Sequence, residues 1–102
     1  VRGRPDMGIN IMDVTSQSYA RFYFNSYSTG VYIYEVNDKS EFKYGDRIIS
    51  FNGTEITSSA DVASQLKSCS VGDEVTVVVM RGGKTVEIKT KLLEKIPEGN
   101  NN

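Results

Sequence analysis

Apolar residues recur along this chain in short alternating runs, the period of a β-strand with one face on a core. Gly8-Ile9-Asn10-Ile11-Met12-Asp13-Val14 carries apolar side chains at 9, 11 and, less strictly, 14. Gly30-Val31-Tyr32-Ile33-Tyr34-Glu35-Val36 has the β-branched and aromatic enrichment of a second strand. Arg47-Ile48-Ile49-Ser50-Phe51 reads as a third. It stops at Asn52-Gly53, two residues that tolerate the positive φ of a tight turn, and Thr54-Glu55-Ile56 resumes briefly. Glu74 to Arg81 and Lys84 to Leu93 predict a hairpin turning at Gly82-Gly83. Strict alternation from Lys84 to Leu92 leaves one face of the second arm wet, so the Lys89/Lys91 row reads as a solvated strand face.

One segment has a clear helical period. Thr57 or Ser58 can cap a helix running to about Ser68, with Asp61 in the first turn, where the macrodipole favours an anion. Val62 and Leu66, four apart, share a face, and Ala60 and Ala63 are small neighbours. Val71-Gly72-Asp73 breaks this helix. Between Thr15 and Thr29 a short helix from Ser16 sets Tyr19, Phe22 and Tyr23 at three-to-four spacing. With Phe24 and Tyr27 these make five aromatics, expected to pack over one end of the sheet, with a secondary ligand surface as the alternative. Five or six strands and one main helix predict an α+β, mainly β, partly open barrel or sandwich that the helix closes on one side.

Composition then narrows the chemistry. A chain of 102 residues fits one domain, large enough to bury roughly two-thirds of its unfolded surface. Twelve basic and thirteen acidic residues nearly cancel without a basic stripe, which argues against nucleic acid as a partner. The longest apolar runs, such as Val75-Thr76-Val77-Val78-Val79-Met80, have strand length and fall far below the ~20 residues of a membrane span. The chain has no histidine, which removes the Ser-His-Asp and Cys-His nucleophile systems and most zinc sites. Cys69 stands alone, unable to form an internal disulfide or a thiolate cluster, and reads as an inert or merely oxidisable thiol. Neither catalytic residues nor a metal or cofactor are expected. The opening Val1-Arg2-Gly3-Arg4-Pro5 and the polar end Glu98-Gly99-Asn100-Asn101-Asn102 suggest a piece of a longer protein. Residues 1–5 then read as a linker, 6–96 as the domain and 97–102 as a disordered tail.

Four stretches together resemble the PDZ domain of bacterial HtrA/DegP-type serine proteases. Gly3-Arg4-Pro5-Asp6-Met7-Gly8-Ile9 is similar to that family's linker and x-Φ-G-Φ carboxylate-binding loop. Gly30-Val31-Tyr32-Ile33 is similar to its "GVxV" strand. Tyr44-Gly45-Asp46-Arg47-Ile48-Ile49-Ser50-Phe51-Asn52-Gly53 resembles "GDxIxxxNG". Val71-Gly72-Asp73 with Val75 to Lys84 resembles "xGxxVxxxVxRxGK". The resemblance covers about residues 3 to 93. Two departures stand out. The usual longer stretch with a short helix is reduced to Asn37–Tyr44, where Phe42 is expected to plug the core, and Asp6 stands where many relatives carry an aromatic or apolar residue. Arg2 and Arg4 are the candidates to offset that acidic charge.

The resemblance implies peptide binding by β-augmentation, an extended chain end lying between the Ile9–Val14 edge and the Ser59–Ser68 helix. The terminal carboxylate would meet the Met7-Gly8-Ile9 loop. Ile9, Asn10, Ile11 and Met12 would supply the strand, and Met7, Ile9, Ile11 and Leu66 an aliphatic pocket for the last side chain. Spacing alone favours Met7, Ile9 and Leu66 as core residues, and the loop-strand-helix context reverses that preference toward the pocket. Ser59 stands where many animal relatives carry a histidine that selects Ser or Thr, so with Ser59 and Ala63 that preference should be weak. Affinity should be on the order of micromolar. The implied partners are C-terminal or extended segments of misfolded proteins and an attached protease domain. The parent would be an extracytoplasmic homo-oligomer, in the cell envelope or membrane-anchored. Asp46 reads as a turn-stabilising carboxylate rather than a catalyst. Alternatives are an assembly module that binds a neighbouring domain, or the PDZ domain of another protease such as a carboxy-terminal-processing one.

Overall fold

The computed structural model describes residues 4–36 and 40–95. Arg2 and the tail beyond Lys95 lie outside the described residues. In chain order the elements are β1 (Arg4–Asp6), β2 (Ile9–Val14), α1 (Gln17–Phe24), β3 (Gly30–Val36), β4 (Arg47–Phe51), β5 (Thr54–Glu55), α2 (Ser59–Lys67), β6 (Glu74–Arg81), β7 (Lys84–Lys91) and β8 (Leu93–Lys95). Six strands form one antiparallel sheet in the order β2-β3-β4-β6-β7, with β5 paired to β4. The sheet does not close, so β2 and β7 are its two edges. β1 pairs separately with β8, which takes Arg4 and Pro5 into a strand pair. This is the α+β, mainly β, partly open architecture expected, with six strands in the main sheet and, among the described residues, a further pair, β1 with β8.

Period-two patterning builds the core. Val75, Val77 and Val79 of β6 are all buried against Val31 and Ile33 of β3, Ile48 and Phe51 of β4 and Ile88 of β7. Each such side chain contributes about 1.5–3 kcal/mol relative to an exposed one. Gly82 and Gly83, at φ 58° and 84°, make the β6–β7 reversal that a Cβ would disfavour. The Asn52-Gly53 turn forms as predicted, and Asn52 Oδ1 also accepts from the Thr76 N–H at 2.8 Å, tying the turn to β6.

Between Ser40 and Asp46 no helix is present, so the expected reduction of that connection holds there; residues 37–39 lie outside the described set. Phe42 fills the core from this loop and is 2% exposed. The Asp46 carboxylate accepts from the Lys43 N–H at 2.9 Å, the turn role expected of it. It does more than that. Arg81 Nε and Nη2 donate to Asp46 Oδ1 and Oδ2 at 2.9 and 2.7 Å, and Nη2 also reaches the Glu41 carbonyl. Donating to the Asp46 carboxylate holds the guanidinium still further in its charged form. The loop is thus pinned to the end of β6 by a bidentate pair.

The aromatic segment departs from expectation. The helix after Ser16 exists, capped by the Ser16 side chain and ended by Asn25 in the left-handed region. Its buried face, however, is Ala20 and Phe24, four apart, set on Tyr32, Met12 and Val14. Tyr19, Tyr23, Phe22 at 80% and Tyr27 at 69% are exposed, so these four do not pack into the sheet. An eight-residue helix has one face to bury, and the small Ala20 lets the backbone approach the sheet where a tyrosine could not. The exposed rings shield one another instead, Tyr19 against Tyr23 at 4.4 Å and Phe22 edge-on to Tyr23 at 4.8 Å. Phe24 alone goes inward, stacked on Tyr32 at 4.6 Å.

α2 begins as its sequence predicts. The Asp61 carboxylate reaches back to accept from the Thr57 N–H and hydroxyl, both at 2.8 Å, and from the Ser58 N–H at 3.2 Å. These bonds, the Thr57 N–H foremost, hold the Asp61 carboxyl below the 3.8 of an ordinary aspartate. A depressed carboxyl adds stability that is present above its unfolded value and disappears as pH falls through the lower folded value. A carboxyl-detected NMR titration should therefore place the Asp61 midpoint below 3.8. A midpoint at or above that value would mean the cap does not form in solution.

Candidate functional site

Two edges bound the main sheet, and their chemistry differs. β7 carries Lys84, Lys89 and Lys91, charges that block another strand from adding. The outer edge of β2 reads Ile9-Asn10-Ile11-Met12 and has no strand partner among the described residues. α2 lies beside it and touches both β1 and β2.

A register shift sits on β3: Asn10 pairs Glu35 and Ile11 pairs Ile33, which leaves Tyr34 as the extra residue of a bulge and brings Val36 to the face of Ile33. Ile9 and Ile11, two apart on β2, both turn toward the core beneath α2, half-buried, where Leu66 joins them. Met7 lies deeper, 5% exposed, which makes it a core residue beneath that row rather than an open wall. The other side chains of β2 face away. Asn10 bonds Glu35 across the strand pair, and Met12 and Val14 pack with α1 on the opposite face of the sheet. Asn10 and Met12 can thus offer a ligand their backbone only, and the sequence reading of Val14 on the face of Ile9 and Ile11 is corrected. Gly8, at φ 75°, turns the chain from β1 into β2. Ala63 is exposed on α2.

Ser59 is held in a way the sequence reading missed. Its backbone N–H donates to Asp13 Oδ1 at 2.7 Å and its hydroxyl to Asp13 Oδ2 at 2.6 Å. Asp13 thereby links the end of β2 to the first turn of α2. An acidic residue on the Ile9 and Ile11 face of β2 was the available signal, but its partner lies 46 residues away. Cys69 is half-buried behind the helix, donating to the Gln65 carbonyl at 3.4 Å. Burial first, and the Asp73 charge second, push its thiol up, away from the reactive thiolate.

A hollow of about 320 Å³, lined by Phe22, Tyr23, Tyr44, Asp46 and Arg81 among others, lies on the α1 side of the sheet. It shares no residue with the β2–α2 edge.

The site is thus an edge strand without a strand partner among the described residues, beside one helix and entered through a glycine turn. The PDZ domain profile aligns with residues 5–92. The chain belongs to the PDZ domain family.

The relatives of this PDZ domain are serine proteases of the HtrA/DegP type. It is 31% identical over 104 residues to the serine protease Do-like HtrB of Bacillus subtilis, covering 90% of this chain and 23% of that protein. It is 41% identical over 63 residues to a probable periplasmic serine endoprotease DegP-like of Bartonella henselae, covering 62% of this chain and 12% of that protein. The chain thus spans less than a quarter of either relative. Among solved structures, the HtrA-type protease AlgW with decapeptide has the same fold, with a TM-score of 0.82 at 17% identity over 93% of this chain and 30% of that one. AlgW with tripeptide matches with a TM-score of 0.73 at 18% identity, over 95% of this chain and 34% of that one. A PDZ domain is non-catalytic, in keeping with the chain's lack of histidine.

Proposed function

We propose that this PDZ domain captures hydrophobic chain ends by β-augmentation and serves an attached HtrA-type serine protease, either by feeding it substrate or by regulating it. One observation carries the reading: an apolar strand edge, β2, without a strand partner among the described residues, runs beside α2 with the half-buried Ile9, Ile11 and Leu66 between them. Backbone bonding to β2 supplies affinity with little regard for sequence, and that apolar row favours an aliphatic last side chain. The carboxylate is assigned to the Met7-Gly8-Ile9 loop, with Ser59 and Ala63 along the helix side. The peptide complexes named for AlgW, a protease of the same fold, support the peptide as ligand class. In this reading residues 6–96 are the domain and 1–5 join it to the protease. The parent works outside the cytoplasm, as the periplasmic relatives from Bartonella and Haemophilus do.

Titration with a peptide ending in Val-COOH should give a dissociation constant on the order of micromolar. Amide shifts should be concentrated at residues 7–13 and 59–67. Amidation of the peptide end should weaken binding at least tenfold, because the carboxylate is the group the loop is assigned to hold. Equal binding of acid and amide would remove the chain end from the reading. Failure of both to bind would remove the peptide.

A further inference from the structure

The α1 side of the sheet carries a second surface that chain-end binding does not use. Phe22, Tyr23, Tyr27 and Tyr44 are each more than half exposed. The rings run on from one another, Phe22 to Tyr23 at 4.8 Å and Tyr44 to Phe24 at 5.4 Å, and the Tyr44 hydroxyl donates to the Tyr23 carbonyl at 3.1 Å. A contiguous exposed apolar patch marks an interaction site. Within it lies the hollow of about 320 Å³, between the end of α1, the Tyr44–Asp46 loop and the β6–β7 turn. Its walls are fixed in advance: the Tyr44–Tyr23 bond ties loop to helix, and Arg81 holds Asp46. A preformed hollow of that size admits a large side chain at little ordering cost.

Charge selects the occupant. Asp46, the carboxylate that lines the hollow, is spent on Arg81, while Arg81 Nη1 keeps no partner among the described residues. Arg21 follows the rings, its guanidinium 5.5 Å over Tyr27, Lys43 precedes Tyr44, and Lys84 pairs with Arg81 across the turn. All three cations are exposed, and Glu41 is the described carboxylate nearest them along the chain. This face is therefore locally basic on a chain whose net charge is -1. Aromatic rings with arginine are also the composition of binding hot spots. We propose that this face docks an internal segment of a partner protein in which one large apolar side chain is flanked by carboxylates. The side chain enters the hollow, and the carboxylates meet Arg21, Lys43, Lys84 and Arg81 Nη1. A lipid surface would accept the exposed rings but has no use for a hollow walled by an ion pair. The site needs no free chain end and shares no residue with the β2–α2 groove, so it stands apart from the reading above and both sites can be filled at once.

The test titrates the peptide Ac-Glu-Glu-Phe-Glu-Glu-NH2, capped at both ends, into the isotope-labelled chain. Amide shifts should gather at residues 22–25, 43–46 and 81–83, and a saturating peptide ending in Val-COOH should leave them in place. Replacing the peptide's Phe by Ala, or all its Glu by Lys, should weaken binding at least fivefold. Phe22→Ala, an exposed position whose loss spares the core, should weaken it at least threefold. The double variant Lys43→Gln/Lys84→Gln should do the same, and added salt should reproduce its effect. Three results each overturn the proposal: no shift at millimolar peptide, equal binding of the Glu and Lys peptides, or shifts confined to residues 7–13 and 59–67. Sedimentation with vesicles of phosphatidylcholine and phosphatidylglycerol, abolished by Phe22→Ala while the peptide gives no shift, would assign the patch to a membrane and overturn it as well. Failure of the Val-COOH peptide to bind would remove the chain-end reading and leave this one standing.

Discussion

Replacing Arg81 with alanine should cost this domain about 3 kcal/mol, enough to lower its melting temperature by about 15 °C. Asp46 is 1% exposed, and among the described residues its carboxylate has three donors: Arg81 Nε, Arg81 Nη2 and the Lys43 N–H. Truncating Arg81 removes two of them and leaves a buried charge with one. That is the costly way to break such a pair, because the desolvation of the survivor is no longer offset. Arg81 itself is 30% exposed, so water can partly replace it, which places the effect at the lower end of the range for buried pairs. Asp46→Asn should be milder, about 1–2 kcal/mol, since the amide oxygen still accepts from the Lys43 N–H and the orphaned guanidinium can turn to solvent. Chemical denaturation of both variants gives the comparison. An Arg81→Ala loss under 1 kcal/mol, or a larger loss in Asp46→Asn, would show that the pair is not the latch described.

Phe42→Ala should be comparably severe, about 3–4 kcal/mol, a large part of the 5–15 kcal/mol typical of a whole domain. The ring is 2% exposed and belongs to the main core with Ile33, Ile48 and Val79, yet it arrives from a loop without helix or strand. Its loss leaves a cavity that two strands already fixed by hydrogen bonding cannot collapse to fill. Phe42→Leu should recover most of the stability. Because Phe42 and Asp46 anchor the same short loop, the double variant Phe42→Ala/Asp46→Asn should lose less than the sum of the single losses. Hydrogen exchange of the Gly45 amide, which donates to the Ile33 carbonyl at 2.8 Å, should quicken in either variant before the β6–β7 amides do. Strict additivity would mean that the two anchors act independently.

Much of this was legible one residue at a time. Alternation at Val75, Val77 and Val79, the Asn52-Gly53 and Gly82-Gly83 turns and the first turn of α2 are local: period, positive φ and a cap three residues away decide them. Phe42 as a core plug was legible too, because a large aromatic left in a shortened connection has few other places to go. The aromatic segment was misread because the number of rings outweighed their geometry. Ala20 and Phe24 form the stripe that the sheet accepts, and the small residue, which carries no aromatic signal, sets the distance of approach.

The sequence by itself determined the strands of the main sheet, both helices, where the chain turns, and that Ile9 and Ile11 share one face of β2 while Val62 and Leu66 share one face of α2. Only the tertiary structure decided that Arg81 neutralises Asp46 and that Asp13 receives both donors of Ser59. Each of these depends on a partner tens of residues away. Local pattern constrains the direction of a side chain along its own element, but not which distant element the fold brings within 3 Å of it.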